Sequence, residues 1–147
     1  MKKQLLGVTL FSLFLTAPAF AVQPYKKVAG DCKVELKQDT LTIENSLIKR
    51  SWLWNNGNLI TCKLEDKGNG QAWQLRNSQP DLSLPGEKKE GSDASIRAEE
   101  VPASLQYVHH LRATVEYKAG NLQVRKIFKV YPGCPAIACE LYLKGQA

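Results

Sequence analysis

Apolar and polar residues alternate along most of the chain after residue 40, and this period of two constrains the fold more than any other feature. Successive side chains of a β-strand point to opposite faces, so the alternation is typical of strands that are buried on one face. No stretch beyond the first 21 residues sustains the 3.6-residue period of an amphipathic helix. The pattern therefore predicts an all-β protein.

Turn sequences divide the alternating segments into short strands. Asn56-Gly57 is the strongest signal, because both residues tolerate a positive φ and favour a tight hairpin. Further signals follow at Asp66 to Gly70, at Lys118 to Asn121 and at Tyr131 to Pro135. Short strands with turns between them favour an antiparallel β-sandwich. Because the last alternating segment runs to Leu143, close to residue 147, we expect an incomplete, supersandwich-like domain.

The alternation also predicts which residues share a face of each strand. The groups are Ile48, Arg50, Trp52 and Trp54; Ile60, Cys62 and Leu64; Leu105, Tyr107, His109, Leu111, Ala113, Val115 and Tyr117; Leu122, Val124, Lys126, Phe128 and Val130; and Ile137, Cys139, Leu141 and Leu143. We expect the three tryptophans, Trp52, Trp54 and Trp73, to be mostly buried, because a large aromatic side chain on an apolar face is usually part of the core.

The first residues have the features of a secretory signal peptide. Lys2 and Lys3 precede an apolar run from Leu5 to Leu15, and Ala19-Phe20-Ala21 matches the small-x-small cleavage pattern. The run is shorter than the roughly 20 residues that a membrane-spanning helix needs. We therefore expect a signal peptide over residues 1–21, a mature domain over residues 22–147, and export to the periplasm or the extracellular space, with no membrane span after cleavage.

The charge and cysteine patterns argue against two classes of protein. Without Lys2 and Lys3, 18 Lys and Arg residues face 14 Asp and Glu residues, with both signs interspersed, so we expect no nucleic-acid partner. The spacing of Cys32, Cys62, Cys134 and Cys139 matches no zinc-binding pattern. Export permits disulfides, but the pattern favours Cys62 and Cys139 as small buried apolar residues on strands.

No complete catalytic site is visible in the sequence. His109 and His110 are adjacent, so on a regular strand they point to opposite faces and cannot bind one metal ion together. Glu99 and Glu100 have the same geometry, which is unsuited to a general acid and base pair. The nucleophile-elbow, P-loop and zinc-protease motifs are absent from the sequence. The expected catalytic, cofactor-binding and metal-binding residues are therefore none.

Three residues are candidates for contact with a carbohydrate. The aromatic rings of Trp54 and Trp73 could stack on a sugar, although burial in the core is the favoured interpretation for both. Asp81 lies in the aperiodic segment from Asn77 to Asp93, a loop long enough to suggest a function. The alternative for Asp81 is a turn-forming role after Pro80.

Two runs of residues resemble the N-terminal β-supersandwich of bacterial α-galactosidases of glycoside hydrolase family thirty-six and their relatives. The first is LTIENSLIKRSWLWNNGNLITCKLEDKGNGQAW, and the second is LQVRKIFKVYPGCPAIACELYLKG. The matching residues of the first run are Ile43, Asn45, Ile48, Arg50, Trp52, Trp54, Asn56, Gly57, Leu59, Asp66, Lys67 and Trp73. The resemblance covers Leu41 to Gly145, which is most of the mature chain.

The resemblance implies a function as well as a fold. These enzymes are retaining glycosidases with two catalytic carboxylates, and both carboxylates lie on a (β/α) barrel that follows the sandwich. The chain is thus expected to be a non-catalytic sandwich of an exported α-galactosidase-like glycoside hydrolase, inactive alone, which supports or edges an active site that binds galactoside-type carbohydrate. The alternatives are a stand-alone secreted carbohydrate-binding module and a sandwich used for protein–protein assembly.

Overall fold

The computed structural model describes residues 23–83 and 90–145. The predicted signal peptide, residues 1–21, lies outside the described residues, as do residues 84–89 of the long loop. The described part contains ten strands: β1 (Tyr25–Ala29), β2 (Cys32–Lys37), β3 (Thr40–Glu44), β4 (Ile48–Leu53), β5 (Ile60–Asp66), β6 (Gln71–Gln74), β7 (Ser92–Val101), β8 (His110–Ala119), β9 (Leu122–Val130) and β10 (Ile137–Lys144).

The strands form two antiparallel sheets. One sheet is a six-stranded meander in the order β1-β2-β3-β4-β5-β6, and the other has four strands in the order β10-β9-β8-β7. Each described pairing is antiparallel. The predicted fold class, an all-β antiparallel sandwich, is confirmed.

The core lies between the inner faces, which are the faces that the two sheets turn toward each other. The indole of Trp52 on β4 contacts the ring of Phe128 on β9, with the ring centroids 4.9 Å apart. Burying one such large apolar side chain contributes about 1.5–3 kcal/mol. The residues at most 3% exposed include Val34, Leu36, Leu41, Ile43 and Trp52 in the first sheet, and Leu111, Ala113, Val115, Val124, Phe128 and Val130 in the second.

The predicted inward face of β9 is confirmed in full, and it includes a lysine. Leu122, Val124, Phe128 and Val130 are buried, and so is Lys126, which is 5% exposed. Period-two geometry forces every second residue of β9 toward the other sheet whatever its polarity. Lys126 therefore brings a charged group into the space between the sheets.

Two boundaries differ from the predicted ones. Strands β1 and β2 form a hairpin that was not predicted, because it lies before the alternating pattern that starts after residue 40. This hairpin places Val34 beside Ile43 in the core. The long strand predicted from Leu105 begins only at His110, and Leu105 and Tyr107 are exposed. The backbone of this segment is not paired with a strand. Instead, the Ser104 hydroxyl accepts hydrogen bonds from the amides of Gln106 and Tyr107, and such local bonds compete with strand pairing.

A β-bulge in β5 changes which residues of that strand face the core. Arg50 pairs with Leu64, but Trp52 pairs with Thr61 instead of Cys62. The extra residue reverses the phase of the alternation. The prediction that Ile60, Cys62 and Leu64 share a face was therefore wrong, and Thr61, which is 6% exposed, lies beside Trp52.

The Asn56-Gly57 turn forms, but it lies within a connection that runs from Leu53 to Ile60 and is not the tight hairpin that was predicted. Asn56 has φ 46° and Gly57 has φ 88°, and the amide of Asn58 donates to the carbonyl of Asn55 at 3.0 Å. Two consecutive positive φ angles are typical of the hairpin turn that Asn-Gly favours. A Cβ atom on Gly57 would lie 2.7 Å from Cβ of Tyr117, so this turn packs directly against β8.

One end of the sandwich is joined by the buried side chain of Asn45. Its Nδ2 donates to the carbonyls of Tyr131 and Cys134, both at 2.7 Å. Its Oδ1 accepts from the amides of Leu47 and Ile48 at 2.8 and 2.9 Å. The four bonds connect the β3–β4 turn of one sheet to the β9–β10 turn of the other.

The described residues contain no helix with the length and hydropathy needed to cross a membrane.

Candidate ligand-binding site at the open end of the sandwich

One end of the inter-sheet space is uncovered, and we call it the open end. It is lined by inner-face residues of β5, β6 and β10. Whereas the inner faces of β2, β3, β8 and β9 are buried, Trp73 is 45% exposed, Leu141 is 47% exposed and Leu143 is 49% exposed. Cys139 is also exposed. We call this half-exposed part of the inter-sheet space the cleft.

Asp81 lies on the inner side of this cleft and is fixed by four contacts. The indole Nε1 of Trp52 donates to its Oδ2 at 3.0 Å. Thr61 donates twice, from its amide to Oδ1 at 2.9 Å and from its hydroxyl to Oδ2 at 2.6 Å. A guanidinium nitrogen of Arg50 lies 3.5 Å from Oδ2. The carboxylate thus anchors its loop to β4 and β5.

Arg50 is held over the indole of Trp52 at the edge of the core. Its Cζ lies 4.8 Å from the ring centroid, and its Nη2 donates to the hydroxyl of Thr61 at 2.8 Å. A guanidinium over an indole face is attracted by the ring quadrupole. The side chain remains 36% exposed, so its other donors can reach the cleft.

Lys126 faces the same space from the opposite sheet. Burial lowers the pKa of its ammonium group, and Asp81 and Cys139 oppose that shift. Its Nζ lies 5.9 Å from the ring centroid of Tyr117. Within the described residues, the ammonium has no hydrogen bond or ion pair, but Nζ itself is not fully buried. A lysine this buried without an ion-pair partner is unusual.

The thiol of Cys139 is close to both cations but is not activated by them. Burial raises the pKa of Cys139, although Lys126 and Arg50 act in the opposite direction. A thiol with a raised pKa is mostly protonated near neutral pH and is a poor nucleophile. The exposure of Cys139 shows that the prediction of a buried apolar residue was wrong for this position, and Cys62 is only partly buried.

Trp73 borders a groove of about 230 Å³ at the open end. Its other walls are Leu47, Ile48, Leu64, Glu65, Asp66 and Pro135. The volume is below the roughly 300 Å³ at which pockets for drug-sized ligands begin. The groove therefore suits one small ring with an apolar face.

The three predicted carbohydrate contacts occupy separate places. Trp73, on the edge strand β6, is more exposed than expected, since no strand beyond β6 packs on it in the described part of the chain. Trp54 is partly buried against the core, as expected. Asp81 is more than a simple turn former, because its oxygens accept bonds from Trp52 and Thr61, and its side chain is still 24% exposed.

Three residues of the candidate site were not predicted as such from the sequence: Arg50, Thr61 and Lys126. A signal existed for two of them, because Arg50 and Lys126 occupy inward positions of otherwise apolar alternating strands. A charge at such a position indicates either a partner or a ligand. The role of Thr61 had no signal, since it depends on the bulge in β5.

The remaining candidate groups lie apart from Asp81, Arg50 and Lys126. His109 pairs with Glu100 at 2.8 Å, while His110 is 3% exposed, so the two rings diverge as predicted. Nδ1 of His110 lies 2.7 Å from the carbonyl of Val108, and its Nε2 has no hydrogen-bond partner among the described residues. Arg112 pairs with Glu99 at 2.8 Å. No group of three or more metal-ligating side chains forms among residues 23–83 and 90–145.

Comparison of the chain with protein-family models, with curated proteins and with solved structures finds no match.

Proposed function

We propose that the chain is the non-catalytic N-terminal sandwich of an exported α-galactosidase-like glycoside hydrolase. In this proposal a (β/α) barrel packs at the open end and carries the catalytic carboxylates, while the sandwich supports or edges the active site. The substrate is a galactoside-type carbohydrate that binds mainly to the barrel. The proposal begins from the resemblance of the Leu41 to Gly145 segment to that family.

The observation that carries the proposal is the uneven burial of the inner faces. Leu141 and Leu143 are nearly half exposed, although β9, the neighbour of their strand, is buried on the same face. Trp73 is 45% exposed beside Leu64, which is only partly buried. Contiguous exposed apolar surface on a folded domain usually marks an interaction site. An adjacent domain packed on β6 and β10 would remove this surface from water, and it would also cover the free edges of both strands.

The described carboxylates support a non-catalytic role. Retaining glycosidases need two carboxyl groups about 5–5.5 Å apart across a substrate. Here Asp81 accepts from Trp52 and Thr61, and Glu44 lies between Lys33 and Lys67 at 2.5 and 2.7 Å. The oxygens of these two carboxylates are thus engaged by protein donors and cations. We expect that the purified chain does not hydrolyse an aryl α-galactoside above the rate of a denatured control.

The first test is to sequence the transcript that carries this chain and to express its full product. We expect a reading frame for a (β/α) barrel and α-galactosidase activity in the product. Leu141→Glu should lower the thermal stability of that enzyme by disrupting the domain contact. Leu105→Glu, at a fully exposed position outside the open end, is the matched control. A transcript without a barrel would overturn the proposal.

The groove beside Trp73 favours a second candidate, a stand-alone carbohydrate-binding module. A half-exposed indole next to the apolar side chains of Leu64 and Pro135 offers a surface for the C–H face of a sugar. In that case the isolated chain would bind galactosides, and Trp73→Ala would abolish binding. Hydrolytic activity would be absent from the full product as well, which separates the two candidates.

A further inference from the structure

Lys126 has no ion-pair partner among the described residues. It is 5% exposed, and its Nζ lies 5.9 Å from the ring centroid of Tyr117. Asp81 is the carboxylate whose charge most favours the ammonium form. That carboxylate is already engaged by Trp52, Thr61 and Arg50. The Lys126 ammonium is thus largely desolvated but still accessible, and an anion that reaches it would offset the cost of removing its charge from water.

Arg50 makes the local charge more positive. Arg50 lies over Trp52, Trp52 contacts Phe128, and Lys126 is the neighbouring inward residue on the same face of β9. The guanidinium is 36% exposed and uses only part of its donor set on Thr61 and Asp81. A planar guanidinium with free donors matches the geometry of a carboxylate. The pair is therefore suited to bind one more anionic group.

An apolar surface extends from this charged pair toward the edge of the sheet. Arg50 pairs with Leu64, and Leu64 pairs with Trp73, so the three side chains lie in one row on the inner face. Neighbouring strands are about 4.8 Å apart, which places Trp73 roughly 10 Å from Arg50 along the row. A single pyranose ring fits this span, with its carboxylate at one end and its C–H face at the other.

We propose that the open end binds a hexuronic acid, with the carboxylate between Arg50 and Lys126 and the sugar ring on Leu64 and Trp73. A neutral hexose would leave the ammonium of Lys126 unpaired, and a bare inorganic anion would leave the apolar row unused. The site is independent of whether a barrel follows the sandwich. If one does, the sugar lies where the two domains meet.

The test is titration of the full chain with galacturonate, galactose and acetate by isothermal calorimetry. We expect galacturonate to bind at least tenfold more tightly than either of the others. Lys126→Met should remove this preference, and Trp73→Ala should weaken galacturonate binding by about tenfold. Lys129→Met is the matched control, because Lys129 is the next basic residue of β9 and pairs with Glu140 on the outer face. It should bind galacturonate like the wild type.

A second measurement on the wild-type chain does not depend on how the variants fold. The indole N–H signals of Trp52 and Trp73 should shift in the NMR spectrum when galacturonate is added, and that of Trp54 should not. Equal affinity for galactose and galacturonate would overturn the proposal. So would acetate binding as tight as galacturonate, or unchanged binding in a folded Lys126→Met chain.

Discussion

The indole Nε1 of Trp52 donates to Oδ2 of Asp81 at 3.0 Å, which joins the largest fully buried side chain of the core to an otherwise irregular loop. The same carboxylate accepts two bonds from Thr61. The contact explains how a segment without strand pairing lies against β4 and β5. The loop and the core therefore stabilise each other.

Asp81→Ala should destabilise the chain by about 3 kcal/mol. It leaves the buried indole N–H of Trp52 and the polar groups of Thr61 without an acceptor, and hydrogen bonds to charged groups are worth about 1.5–3 kcal/mol. Urea unfolding measures the change. Glu99→Ala is the control, since its pair with Arg112 is exposed and should contribute less than about 1 kcal/mol. Equal effects of the two substitutions would show that the Asp81 contacts carry no stability.

Trp52→Ala should mainly lower stability, whereas Trp73→Ala should mainly weaken ligand binding. Trp52 is completely buried, and truncating a core tryptophan costs roughly 3–5 kcal/mol. Trp73 is 45% exposed on an edge strand, so its loss should cost less than about 1.5 kcal/mol and affect ligand binding instead. Thermal unfolding and a sugar titration of both variants test this. A Trp52→Ala chain that unfolds like wild type but loses sugar binding would show that Trp52 is a ligand-contact residue.

Asn45→Ala should be among the most damaging polar substitutions. The side chain is 1% exposed and connects two turns through four hydrogen bonds. Each buried group left without a partner costs about 1–3 kcal/mol, so the total should exceed about 3 kcal/mol. Asn69→Ala, which removes an exposed contact to Asp66, is the control and should cost less than about 1 kcal/mol. Denaturant midpoints compare the two.

Gly57→Ala should destabilise the chain more than Gly70→Ala. Both glycines have a positive φ, so both substitutions carry a backbone cost of roughly 1–2 kcal/mol. A Cβ atom at residue 57 would also lie 2.7 Å from Cβ of Tyr117, whereas one at residue 70 would meet nothing within 4 Å. Overpacking adds about 1–3 kcal/mol. Equal shifts in the unfolding midpoint would contradict the packing of this turn against β8.

Stability should fall in acid because several carboxyl groups, Asp31 and Glu44 among them, have lowered pKa values in the fold. The hydrogen bond from the Ser46 side chain lowers the pKa of Asp31 below 3.8. Burial raises the pKa of Glu44, but the hydrogen bonds from Lys33 and Lys67 lower it by more. The pKa of Glu44 therefore lies below 4.5. Such groups stabilise the fold above their unfolded pKa values and lose that contribution as the pH falls through the folded ones.

The variant that tests this is Glu44→Gln. We expect it to be less stable than the wild type at pH 7 and to approach the wild type at pH 3, as measured by urea unfolding at both pH values. Glu99→Gln, at an exposed site, should differ little from the wild type at either pH. A stability difference between Glu44→Gln and the wild type that stays constant from pH 7 to pH 3 would contradict the lowered pKa of Glu44.

The sequence by itself determined the fold class and most strand positions. Period-two alternation places every second side chain of β9 on one face, and each of its predicted inward residues is buried. The Asn56-Gly57 turn needed only local information, because the residues themselves favour positive φ angles. These features depend on neighbours in the chain, so a linear pattern is enough to specify them.

Only the tertiary structure decided which residues form the candidate site. The bulge in β5 places Thr61, instead of Cys62, beside Trp52. No local sequence pattern marks this bulge. Asp81 reaches Thr61 across 20 positions of sequence, and Lys126 faces Arg50 and Asp81 from the other sheet. Trp73 is exposed because strand β6 lies at an edge of its sheet. Such contacts depend on how the two sheets pack, which the period of a single strand does not encode.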